Sequence, residues 1–258
     1  MVRPLCLVAM GLLLAAAPLQ AADALSDARR FYNQGQFDAA ERAAREAARV
    51  VLGRIQLERY RRAPVPADLS GAISAFAHID ARRLEPSERV ELAIGFGEAL
   101  YLEDRFGAAA ALFESVLNWS QSLGPVAHER VLDWWATAVD RCAQLRPPPE
   151  RAEMYGRIST RMAEEISQEA GSTAAGYWLA ASARGLGDPE RALSEATAAW
   201  IRASLARDGG VALRADLDRL VVQGILPDRA ARLTVRDHTQ ALAGMVGEWE
   251  TFKSSWSR

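Results

Sequence analysis

Few residues in this chain could do chemistry, and their types and spacing rule out most of it. Lys253 is the only lysine, and it sits close to the carboxy terminus, so neither a phosphate-loop lysine nor a Schiff-base lysine is expected. The three histidines, His78, His128 and His238, are far apart in sequence. His128-Glu129 opens like a zinc-protease motif, but Leu132 occupies the place of the second histidine. Gly185-Leu186-Gly187 runs into Asp188-Pro189, which makes a turn and not a dinucleotide loop. No Gly-x-Ser-x-Gly elbow is present. Carboxylates are harder to dismiss, because two of them in a cleft suffice to cleave a glycan. Glu103-Asp104, Glu164-Glu165 and Asp216/Asp218 are the visible clusters, and all are expected at helix ends or on solvated faces. Asn118-Trp119-Ser120 has the form of a glycosylation acceptor, a match read here as chance. No cofactor and no metal site is expected.

The elements around these residues read as helices almost throughout. Apolar residues recur at three- and four-residue steps, and reversals fall near Gln36, Pro64 to Ala67, Pro86, Arg105, Gly124-Pro125, Pro147 to Pro149, Gly171-Ser172, Gly187 to Pro189, Asp208 to Gly210 and Pro227. Roughly ten or eleven helices and no strand result. Ser87-Glu88 behind Pro86, and Asp188 before Pro189, are plausible helix starts. Two stretches, Val126 to Leu145 and Glu150 to Ala170, form an extended pair. Toward the end, Leu242, Val246, Trp249, Phe252 and Trp256 make a last apolar stripe, expected to cap the fold or, alternatively, to dock a partner.

Glu91 to Leu117 holds the clearest unit. Leu92, Phe96, Gly97, Leu100 and Tyr101 mark one helix and Phe106, Ala109, Ala110, Phe113 and Val116 the next, with only Glu103-Asp104-Arg105 to reverse the chain. Gly97, Phe106, Ala109, Phe113 and Val116 in this order resemble the tetratricopeptide repeat. Weaker copies resemble it at Ala28, Phe31-Tyr32, Gly35, Phe37, Ala40, Ala44 and Ala47, and at Ala180, Ala183, Gly187 to Pro189, Ala192, Ala196 and Ala199. Phe37 and Phe106 stand about two family periods apart, the period being about 34 residues. A degenerate copy is therefore expected between them, its second helix running from Leu69 to Leu84 with Ala72, Phe76 and Ile79 inward.

The resemblance implies an all-α, right-handed superhelical stack of antiparallel helix pairs, an α-solenoid whose first helices line a concave groove. By that resemblance the groove residues are Arg29, Tyr32 and Asn33, then Glu91, Ile94, Glu98 and Tyr101, then Tyr177, Ala181 and Arg184. Tyr32 and Tyr101 are the expected exposed anchors, the alternative being that they cover the joints between repeats.

Composition sets the compartment and the partners. Arg3, the apolar run from Leu5 to Pro18 and the small residues to Ala22 read as a cleaved signal peptide over 1–22, followed by one domain over 23–258. Once Arg3 leaves, the net charge of −2 becomes about −3, which suggests neither nucleic acid nor an anionic membrane as partner. Cys142 is then the only cysteine, so no intrachain disulfide forms, and it is expected on a buried stripe with Val131, Trp135, Ala138 and Leu145. The seven tryptophans are expected mainly in the core. The expectation is a periplasmic, non-catalytic scaffold that binds another envelope protein. The alternative is a glycan-binding or polysaccharide-processing envelope protein using tryptophans and an acidic pair.

Overall fold

The computed structural model describes residues 31, 34, 36–206, 208–234 and 237–256, the side chains of 37–44, 46 and 47 excepted. Among the described residues all regular structure is helical. The helices are α1 (Phe37–Arg62), α2 (Pro66–Ala77), α3 (Pro86–Leu102), α4 (Phe106–Ser120), α5 (Pro125–Gln144), α6 (Pro148–Gln168), α7 (Thr173–Gly185), α8 (Pro189–Arg202), α9 (Val211–Leu220), α10 (Leu226–Ala230) and α11 (His238–Trp256). A π-helical turn, Val221–Ile225, carries α9 into α10. None of these helices is long and apolar enough to cross a membrane.

Prolines start the helices. Pro66, Pro86, Pro125, Pro148 and Pro189 are each the first helical residue, where the missing N–H would have had no intrahelical acceptor anyway. Asp188 caps α8 by accepting the Arg191 amide at 3.0 Å. Glu85 and Glu88 form a capping box ahead of α3, so the cap is Glu85, one residue before Pro86, and not Ser87. The reversal at Glu103 to Arg105 is closed by the Arg105 amide on the Leu100 carbonyl at 2.9 Å, with Asp104 at φ 58°. α2 is shorter than its expected run to Leu84: it stops at Ala77, and Asp80 starts a separate turn by accepting the Arg82 amide at 3.2 Å.

Packing follows a regular order. Each helix from α1 to α8 touches the next, and the odd-numbered helices also touch in succession, α1 with α3, α3 with α5, α5 with α7 and α7 with α9. Aromatic rings of even helices close several joints by seating on glycines of odd ones. A Cβ on Gly53 of α1 or Gly95 of α3 would lie 2.2 or 2.6 Å from the Phe76 ring, and one on Gly185 of α7 would lie 2.6 Å from the Tyr155 ring. Three apolar clusters result, around Phe76, around Phe113 with Trp135, and around Trp200 with Trp249.

Two expectations about single residues change. Cys142 is buried and free, but Leu145 is 76% exposed, because α5 ends at Gln144 and the chain leaves the helical stripe there. Trp135, Trp178, Trp200 and Trp249 are core residues, whereas Trp119 and Trp256 stand exposed.

Candidate binding cleft

The described groove residues expected on α3 are largely covered. Arg29, Tyr32 and Asn33 lie outside the described residues. On α3, Ile94 is buried, and the second half of α1 lies across the acidic residues. Arg54 pairs with Glu91 at 3.5 Å, and Glu98 is only 6% exposed. Loss of hydration raises the pKa of both acids, against the downward pull of Arg54 on each and of Arg61 and Arg130 on Glu98. Tyr101 is half-buried, edge-on to Phe106 at 5.2 Å and to Trp134 at 5.0 Å, and the Arg61 guanidinium covers Trp134 at 5.2 Å. Tyr101 is thus a filler of the joint between α3, α4 and α5. The family pattern locates the helix face, but a second helix on that face decides whether it meets water.

The open space lies further along. A cleft of about 1150 Å³ runs over one face of α5, α7 and α9, closed at one end by the segment after α6 and by Leu205, Ala206 and Asp208. Of the expected groove residues that are described, only Tyr177 lines it, edge-on to Trp178 at 5.4 Å. Ala181 is half-buried against the core. Arg184 sits in a smaller neighbouring recess, where its Nε donates to Asp228 at 2.7 Å and its guanidinium approaches Gly224 of the π turn.

Carboxylates dominate the cleft walls, and most of them also hold helices in place. Glu129 Oε2 accepts from the Thr173 hydroxyl and from the Ala174 amide, both at 2.9 Å, so α5 caps the start of α7. Asp133, one turn on, accepts the Trp178 indole N–H at 2.9 Å. Loss of hydration raises the pKa of Asp133, the indole bond opposes that, and the nearby charges of Asp216 and Glu129 add to the rise. Tyr177 is pushed up as well, by burial and then by Asp216, Asp140 and Asp133. Asp208 caps α9 through the Gly210 and Ala212 amides at 2.8 and 3.2 Å.

At the floor, buried His128 joins three helices. Its Nδ1 is 2.7 Å from Ser120 Oγ and its Nε2 is 3.2 Å from Glu165 Oε1. The three residue types are those of a hydrolytic triad, yet Ser120 has no exposed surface and its hydroxyl donates to the Leu117 carbonyl at 2.7 Å. A nucleophile must reach its substrate, so this arrangement is a clasp between α4, α5 and α6. Glu165 and Asp218 therefore depart from the solvated reading: Glu165 is buried on His128, and Asp218 accepts from Trp249 and Lys253 at 2.8 and 2.7 Å. Lys253 in turn is held within α11 and is not at a frayed end. Among the described residues no group of three His, Cys, Asp or Glu side chains is placed to hold a metal ion.

The acidic character of the cleft had one legible signal in the sequence. Glu129 and Asp133 are four apart, a like-charge pair on one helical face that costs stability and so marks a face facing something unusual. Asp216 had no such signal, since only α9 packing beside α7 brings it across from Asp133. No protein-family model matches this chain, and no curated protein and no solved structure is significantly similar to it.

Proposed function

We propose that this protein is an exported, periplasmic helical-repeat scaffold of tetratricopeptide-like design, which binds a segment of another envelope protein and carries out no reaction itself. One observation carries the reading: the cleft of about 1150 Å³ is built from the same face of three successive odd-numbered helices, α5, α7 and α9. A repeat stack that buries its even helices against its odd ones leaves such a face for a partner. The ordered contacts of the odd helices and the ring-on-glycine joints support a solenoid arrangement.

The glycan reading is less well supported. Trp178 is 6% exposed and its N–H is committed to Asp133, so it offers no ring face to a sugar. Trp119 and Trp256 are exposed but do not line the cleft.

Photo-crosslinking tests the scaffold. A photoreactive amino acid at Ala212, exposed within the cleft, is expected to trap a specific protein in the periplasm, and the same group at Thr160, exposed outside it, is not. Equal trapping from both positions, or none from Ala212, overturns the proposal, as does glycan turnover by the purified protein.

A further inference from the structure

We infer that the cleft takes an extended peptide segment bearing lysine or arginine side chains alternating with apolar ones; the inference rests on the scaffold reading above. Charge complementarity is the first argument. Glu129, Asp133, Glu165, Glu169, Asp208 and Asp216 line the cleft, and among the described lining residues Arg130 is the only arginine or lysine. His128 is already joined to Glu165. The front of the molecule shows the contrast, because there Arg54 and Arg61 of α1 answer Glu91 and Glu98 and the face is closed. At α5, α7 and α9 the pairing is lighter: Arg219 meets Asp216 at 3.3 Å within α9, both side chains well exposed, and among the described residues no ion pair reaches Asp133. A concave surface with an excess of one sign concentrates its field on whatever enters. Burial is the larger cause of the upward push on Asp133 and Tyr177, and the neighbouring carboxylates add to it.

The rim supplies the second argument. Val126 and Leu205 line the cleft and are 56% and 63% exposed, so an occupant gains by covering apolar surface as well as by pairing charge. A metal ion or a single small cation would leave these side chains and most of the volume unfilled. Nucleic acid and acidic peptides are repelled. Neighbouring helices pack about 8 to 10 Å apart, so the path from α5 across α7 to α9 is roughly 18 Å. That is the length of roughly five or six residues in extended form.

Fluorescence anisotropy on the full mature protein tests this with three labelled eight-residue probes: alternating lysine and leucine, alternating lysine and serine, and alternating glutamate and leucine. The lysine-leucine probe is expected to bind most tightly, the lysine-serine probe more weakly, and the glutamate probe not at all. The affinity of the first should fall steeply as salt rises. The Asp133→Asn/Asp216→Asn double variant keeps the acceptor for Trp178 and should bind the lysine-leucine probe at least about tenfold more weakly. Glu153→Asn, on an exposed face of α6 outside the cleft, should bind it like the parent. Equal binding of the lysine-leucine and glutamate probes, or unchanged binding by the double variant, overturns the charge inference. Absence of lysine-leucine binding while crosslinking from Ala212 still traps a partner also overturns it and leaves the scaffold standing. Absence of both removes the scaffold too.

Discussion

Trp178 of α7 donates its indole N–H to Asp133 of α5 across 2.9 Å, so the wall of the cleft and the joint between two helices are one contact. Asp133→Ala strands a buried indole donor and is expected to cost about 1 to 3 kcal/mol, whereas Asp133→Asn keeps an acceptor. The sign of the pH effect follows from the raised pKa of Asp133. In the window between the ordinary and the raised value the folded state holds more proton than the unfolded one, so stability falls as pH rises through that window. Asp133→Asn should flatten this part of the stability-pH curve, measured by denaturant unfolding at a series of pH values. An unchanged curve would show that Asp133 titrates normally.

Phe113 of α4 is fully buried, and a Cβ on Gly97 of α3 would lie 2.6 Å from its ring. Phe113→Ala should therefore lose about 3 to 5 kcal/mol. Gly97→Ala should also destabilise, because a rigid ring, and not the end of a flexible chain, occupies the space. Thermal melts of both variants check this, and a parental melting temperature for Gly97→Ala would mean that the ring can move aside.

Tyr101 separates the sequence reading from the structure. An exposed anchor could be truncated at almost no cost in stability, but a ring in edge contact with both Phe106 and Trp134 cannot. Tyr101→Ala is expected to cost about 2 kcal/mol or more. Equilibrium unfolding decides between the two, and a change within about 0.5 kcal/mol would return Tyr101 to the surface.

The carboxy-terminal helix is held by one buried ring and one charged cluster. Trp249 packs on Trp200 at 5.4 Å and on Phe252 at 5.2 Å, and its N–H shares Asp218 with Lys253. Burial pushes Asp218 upward, but the Lys253 and Trp249 hydrogen bonds outweigh it and its pKa is lowered; that of Lys253 is raised. The contribution of Asp218 is present above its ordinary value and is lost as pH falls through the lowered one. That of Lys253 is present below its ordinary value and is lost as pH rises through the raised one. Lys253→Met should weaken both limbs, and Trp249→Ala should release α11, seen as loss of amide-exchange protection over His238 to Trp256 before the rest of the fold opens. Retained protection there would show that other contacts hold the helix.

The helices were legible in the sequence because their causes are local. Pro66, Pro86, Pro125, Pro148 and Pro189 begin helices for reasons contained within one turn, and Asp188 caps α8 three residues from its partner. Periodicity also identified Ala72, Phe76, Ala109 and Phe113 as buried, since a core-facing stripe must repeat at helical steps. The site was less legible. Among the expected groove residues, Tyr177 lines the cleft while Glu98 and Tyr101 are covered.

Amino-acid order alone thus determined where the chain turns and which stripe of each helix avoids water. Tertiary structure alone decided which polar face stays open. A carboxylate on a helix looks the same in sequence whether water, an arginine or a histidine lies above it. Glu98 became buried because Arg54 and Arg61 arrive from α1, and Glu165 because His128 arrives from 37 residues away, whereas Asp133 faces the cleft from α5 and Asp216 stays exposed there beside Arg219 of its own helix. Burial of charge is a property of the neighbours, and for these residues the neighbours come from other helices.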